Sequence, residues 1–84
     1  MKKVIIYSTE RCPYCISAKE LFGYLKIPYE EIKVDSDPKM RVHMEQISGR
    51  RTVPQIFIGD RHVGGFDDLK ALHERDELST WLSD

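Results

Sequence analysis

The sequence predicts an α/β fold: a four-stranded mixed sheet flanked by helices, in the order β-α-β-α-β-β-α. Three observations predict it. Val4, Ile5 and Ile6 form an unbroken apolar run near the N-terminus. Ala18, Leu21, Phe22 and Leu25 recur at the spacing of one helical face. "QIFI" and "RHV" flank Gly59 and Asp60, a pair that suits a two-residue hairpin turn with glycine first.

The first strand is read over "KKVIIYS", where a continuous apolar run implies cover on both faces of the sheet. The first helix opens with Pro13, whose missing N–H costs nothing in the first turn. Pro28 is expected to stop it, with Ile27 pushed into an extended conformation. "YEEIKVD" alternates apolar and polar residues and reads as the second strand. Asp37 is placed as the N-cap of a second helix and Pro38 as its first residue, with Met40, Met44 and Ile47 facing inward and Gly49 at its end. After the hairpin, Gly64 and Gly65 break the strand, and Asp67 is placed as the cap of a third helix carrying Leu69 and Leu72. The tail through Leu78, Trp81 and Leu82 is expected to continue as helix or as a last helical turn on the core. The first strand, helix and second strand form a parallel βαβ unit, and the last two strands an antiparallel hairpin.

The 84 residues are expected to form a single domain, 1–84, with a modest core that needs no staples. Thirteen Lys and Arg face fourteen Asp and Glu, so no basic excess marks nucleic acid as the main partner. No apolar run approaches the roughly 20 residues of a membrane span. The N-terminal "MKKVIIYSTERC" has too short an apolar stretch for a signal-peptide core. A cytoplasmic location is therefore expected, where paired cysteines are more often catalytic or metal-binding than structural.

The chain has two cysteines, Cys12 and Cys15, in "ERCPYCIS". As a staple, a bridge between them would close so short a loop that it stabilises by about 2 kcal/mol at most. As a zinc site the pair lacks companions: tetrahedral zinc takes about four ligands, and His43, His62 and His73 lie on different elements with no helical pairing among them. No metal site is assigned. A redox pair fits better. Cys12 stands at the N-terminal boundary of the first helix, where unpaired N–H groups and the helix dipole favour thiolate over thiol. Cys15, nearer the helix body, is expected to stay protonated longer and to act as the resolving thiol. Arg11 adds a neighbouring positive charge. A CxxC between strand and helix of a βαβ unit reads as thioredoxin-like redox chemistry.

With "CPYC" at 12–15, "TVPQIFI" at 52–58 and "GGFDDL" at 64–69, in that order, the chain resembles the glutaredoxins over nearly its whole length. The resemblance implies a thioredoxin-like fold, catalytic Cys12 and Cys15, and a glutathione site formed by Arg11, Tyr14, Arg51, Thr52, Val53, Pro54, Gly65, Phe66 and Asp67. It implies a cis bond into Pro54, with the Val53 backbone turned to the nucleophile and open to an extended peptide. It also implies that the N–H groups of Phe66 and Asp67 hold the γ-glutamyl carboxylate while the Asp67 side chain holds the ammonium. One departure stands out: many glutaredoxins carry a lysine three residues before the nucleophile, and Thr9 occupies that position here.

The expected activity is glutathione-dependent reduction of protein disulfides and protein–glutathione mixed disulfides. Glutathione is a co-substrate, no cofactor is needed, and the partners are glutathione and disulfide-containing or glutathionylated proteins, with no nucleic acid and no membrane. A monomer is expected. Two alternatives remain: a redoxin of the same fold reduced by thioredoxin reductase, and an iron–sulfur carrier dimer sharing a cluster through Cys12 and glutathione. Pro13 disfavours the second, because such carriers usually have a smaller residue there.

Overall fold

The computed structural model describes residues 1–84. Its elements are β1 (Val4–Ser8), α1 (Pro13–Tyr24), β2 (Glu30–Lys33), α2 (Pro38–Ser48), β3 (Gln55–Ile58), β4 (Arg61–Gly64), α3 (Phe66–Glu74) and α4 (Leu78–Leu82). They form the four-stranded mixed sheet flanked by helices that the sequence predicts, with strand order β2-β1-β3-β4. β1 pairs with β2 in parallel and with β3 antiparallel, and β3 pairs antiparallel with β4. No helix is long and apolar enough to cross a membrane.

The central strands alternate between two cores, as the period of a strand requires. Val4, Ile6, Ile56 and Ile58 face α1, α3 and α4, where they pack with Ala18, Phe22, Leu69, Leu72, Leu78 and Leu82. Tyr7 and Phe57 point to the other face and join Val34 and Met44 beneath α2. The apolar run of β1 is thus covered on both sides.

Capping follows the sequence at α2: Asp37 accepts from the N–H of Met40, Pro38 opens the helix, and Gly49 ends it in the left-handed region at φ 71°. Gly59, at φ 59°, opens the hairpin turn. Four expectations differ. Helix α1 stops at Tyr24, ahead of Pro28. Lys26 takes φ 58°, its N–H reaches Gly23 O, and the N–H of Ile27 reaches Phe22 O at 2.9 Å. This is a Schellman ending without its usual glycine. Ile47 is exposed on α2, since two inward residues, Met40 and Met44, already fill that short face. Asp67 does not cap α3. Gly65 is the N-cap, and it is Asp68 that folds back to accept the Gly65 N–H at 2.9 Å. Gly64 makes room for this: a Cβ there would collide with the Asp68 carboxylate. Finally, the tail is a separate helix. Asp76 at φ 56° ends α3 with the same hydrogen-bond pattern, Glu77 N–H to Leu72 O and Asp76 N–H to His73 O, and the chain turns so that Leu78 and Leu82 return to the core. Arg61 lies over the Trp81 ring at 3.5 Å and fastens this helix to β4.

Candidate active site

Cys12 is the N-cap of α1. Its Sγ accepts the N–H of Cys15 at 3.2 Å, taking the place that a serine or aspartate oxygen usually fills. Across from it, the thiol faces the Val53 carbonyl at 3.6 Å. Val53 precedes a cis bond to Pro54, and its own N–H has no partner within the chain. Cys15 lies one turn into the helix and is wholly buried. Both thiols are free.

Beside the Val53 lip opens a cleft of about 350 Å³. Tyr14 of α1 and the Thr52–Gln55 segment form one wall, and Gly65, Phe66, Asp67 and Asp68 at the start of α3 form the other, with Arg50 at the edge. Tyr14 is 60% exposed, and its ring stacks on Phe66 with centroids 6.4 Å apart. The cleft ends on the N-terminus of α3, and Cys12, at the N-terminus of α1, does not line it but meets it through Val53, an arrangement suited to an anionic thiol compound.

The family model for glutaredoxin matches residues 4–63. The chain belongs to the glutaredoxin family. A glutaredoxin of Pseudomonas aeruginosa is 46% identical over 83 residues, covering 99% of both chains. Glutaredoxin 3 of Escherichia coli K12 is 45% identical over 82 residues, covering 98% of this chain and 99% of its own. Among solved structures, the glutaredoxin of Brucella melitensis superposes with TM-score 0.86 at 46% identity, covering 98% of this chain and 89% of that one. A buckwheat glutaredoxin–glutathione complex superposes with TM-score 0.88 at 32% identity, covering 96% and 76%. Family and fold identify this glutaredoxin as a thiol–disulfide oxidoreductase of thioredoxin fold.

The glutaredoxin cleft gathers Tyr14, Thr52, Val53, Pro54, Gly65, Phe66 and Asp67 in one place, although they come from three separate segments. Arg11 and Arg51 are not among its lining residues. Arg51 turns outward to Glu45 at 3.6 Å and is 88% exposed. Of the Arg50-Arg51 pair it is Arg50 that borders the cleft, held by Asp68 at 3.2 Å. Adjacent residues in extended chain point to opposite sides, so the sequence alone did not say which of the two arginines faces inward. Gln55 and Asp68 also line the cleft without having been singled out. Buried Gln55 donates to Thr52 O at 3.0 Å and to Thr52 Oγ1 at 3.3 Å, and its Oε1 meets His62 Nε2 at 2.7 Å. These bonds tie the Val53 lip to β4.

The Gly65 N–H holds the Asp68 carboxyl below its ordinary pKa against the effect of burial, and Arg50 adds to the lowering. Burial and the Arg50 charge lower the His62 imidazole, with Asp68 opposing. Cys15 moves furthest. Burial, then the hydrogen bond with Cys12, pushes its thiol up to about 12, while the Thr9 backbone and the Lys19 charge pull the other way.

A consequence for stability follows. The reduced, unfolded chain releases the Cys15 proton near 9, whereas the folded chain keeps it to about 12. Between those values the unfolded state binds fewer protons, so the thiol's contribution is intact below pH 9 and is lost as pH rises toward 12, by at most about 4 kcal/mol. Urea titrations of reduced wild type and Cys15→Ala should show a stability difference that is constant below pH 9 and narrows above it. A difference independent of pH up to 11 would contradict the assignment.

Proposed function

We propose that this glutaredoxin is a glutathione-dependent reductase of protein disulfides and of protein–glutathione mixed disulfides, acting as a single-domain cytoplasmic monomer with no resident cofactor. The observation that carries the reading is the position of Cys12 Sγ: it caps α1 against the Val53 carbonyl, at the lip of a cleft that ends on α3. The complex of the buckwheat relative with glutathione supports the choice of thiol.

Glutathione lies along the cleft with its sulfur toward Cys12. The Val53 backbone pairs with its peptide as a neighbouring strand would, and the unpaired N–H suits that role. Tyr14, Thr52, Pro54 and Phe66 wall the cleft. Its γ-glutamyl carboxylate meets the α3 N-terminus at Gly65, Phe66 and Asp67, and the Asp67 carboxylate receives the ammonium. Arg11 and Arg51, outside the cleft, contribute only long-range positive charge.

Two modes follow from the thiol chemistry. In the first, the Cys12 thiolate attacks the glutathione sulfur of a mixed disulfide, the substrate leaves as thiolate and takes up a proton, and a second glutathione frees Cys12 as glutathione disulfide. In the second, Cys12 attacks a protein disulfide and Cys15 displaces the product, leaving a Cys12–Cys15 bridge that two glutathiones reduce. The Cys15 N–H that Cys12 Sγ accepts is placed to hold negative charge on that sulfur both as it attacks and as it leaves. Supplying reducing equivalents through glutathione with glutathione reductase, and separately through thioredoxin reductase, tests the reading. Turnover is expected with glutathione; turnover with thioredoxin reductase alone would make the protein a reductase-fed redoxin.

A further inference from the structure

Cys15 is wholly buried, yet the second mode requires it to attack as a thiolate. Water offers no help to its charge there. Lys19 stands four residues on, one turn below on the same side of α1. Its Nζ reaches Glu31 Oε2 at 2.9 Å, and the same oxygen accepts the Ser8 hydroxyl at 2.5 Å. The pair is the least exposed ion pair of the molecule, with side chains 25% and 23% accessible, and Ser8 is wholly buried. Three elements, α1, β1 and β2, thus converge on one charged cluster, whose lysine stands one helical turn from the resolving thiol. No step of the proposed cycle uses it.

The cluster's protonation decides what it can do. Hydrogen bonding to Glu31 raises Lys19, with Tyr29 adding to the rise and burial and Lys33 opposing it. Burial works against the Glu31 charge, but Ser8, Lys19 and Lys33 outweigh it and hold the carboxyl low. Glu31 is therefore a poor proton acceptor, and the cluster presents to Cys15 a permanent cation on a fixed arm. Of the groups that draw the Cys15 thiol down, the Thr9 backbone comes first and Lys19 second, and Lys19 is the one cation among them.

We propose that Lys19, oriented by Glu31 and Ser8, is a positioning residue that favours the Cys15 thiolate and so sets the rate at which the Cys12–Cys15 disulfide closes. The inference rests on the dithiol mode and not on glutathione. In the step, Cys15 loses its proton and its sulfur attacks Cys12 Sγ. The bond from Cys12 to the leaving sulfur breaks, and the leaving thiolate receives the proton equivalent. One disulfide replaces another, so no outside oxidant or reductant enters.

Dithiobis(nitrobenzoic acid) reads this directly, because each displaced aromatic thiolate absorbs visible light. In stopped flow the reduced protein should release one thiolate as Cys12 is captured and a second as Cys15 closes the ring. In Lys19→Met the second release is expected to slow about tenfold at neutral pH, with its pH profile displaced upward by about one unit, as loss of one nearby charge implies. Lys19→Arg should restore most of the rate, and Glu31→Gln, which keeps the cation but frees its arm, should slow closure about threefold. The first release should be unchanged throughout. An unaltered second release in Lys19→Met, or equal slowing in Lys19→Arg, would overturn the proposal, as would a first release slowed by the same factor. Wild type that shows no first release would overturn the reading of Cys12 as nucleophile, and this inference with it. Closure that behaves as expected in a protein glutathione cannot reduce would leave this inference standing and sink the glutathione reading alone.

Discussion

Cys12→Ser is expected to fold normally and to reduce nothing, whereas Cys15→Ser is expected to keep its activity on glutathione mixed disulfides. The first variant isolates chemistry from structure. Serine is a better N-cap than cysteine, so its Oγ takes over the bond from the Cys15 N–H and the start of α1 is preserved. A serine hydroxyl has no thiolate-like form near neutral pH and does not attack sulfur, so the rate falls at least about a thousandfold. In Cys15→Ser the nucleophile, the Val53 lip and the cleft are untouched, because Cys15 is wholly buried and lines none of the cleft. Turnover of a glutathionylated peptide should stay within about threefold of wild type, since Cys15 takes no part in that displacement. Reduction of a protein disulfide should fail, because the mixed intermediate then has no resolving thiol. Steady-state assays on both substrates, with circular dichroism to check the fold, decide it. Equal losses in the two variants on the mixed disulfide would contradict the roles assigned to the two sulfurs.

Phe22→Ala carries the largest expected effect on stability. Phe22 is wholly buried on the inner face of α1, in the cluster that joins β1 and β3 to α3 and α4. Its ring also lies 5.7 Å from that of Tyr29, ahead of β2. Truncation removes contacts to several elements at once and leaves a cavity that a rigid sheet cannot close, at a cost of about 3–5 kcal/mol. A domain of this size has in all about 5–15 kcal/mol of stability, so the variant should melt more than about 12 °C below wild type. Urea denaturation gives the free energy directly. A loss under about 1.5 kcal/mol would mean that α1 is not anchored through this ring. The redox centre should suffer with the fold, since α1 presents Cys12, Cys15 and Lys19 from one rigid body.

Much of the site was legible because its signals are local. "CPYC" places two thiols at a helix start through Pro13, "TVP" marks the lip, and "GGF" opens α3 with glycine, each within a few residues. The helix endings were less legible. Glycine normally marks the left-handed residue after a helix, but Lys26 and Asp76 take that conformation here. Their side chains carry no sign of it, so Pro28 drew the α1 boundary too late and the tail was not read as a separate helix. Asp67 and Asp68 illustrate the same limit. Either residue suits a helix start by type, and the choice falls to Asp68 because Gly64, lacking a Cβ, leaves its carboxylate room to fold back.

The sequence by itself determined the order of the elements through α3, the two-sided burial of β1 and the placing of both thiols at the start of α1, since each depends on residues close together in the chain. Only the tertiary structure decided which arginine borders the cleft, that Gln55 and His62 brace its lip, and that Ser8, Lys19 and Glu31 meet in one cluster. Those partners lie 7 to 23 residues apart. Their meeting depends on strand register and on how α1 lies across the sheet, and residue type and spacing encode neither.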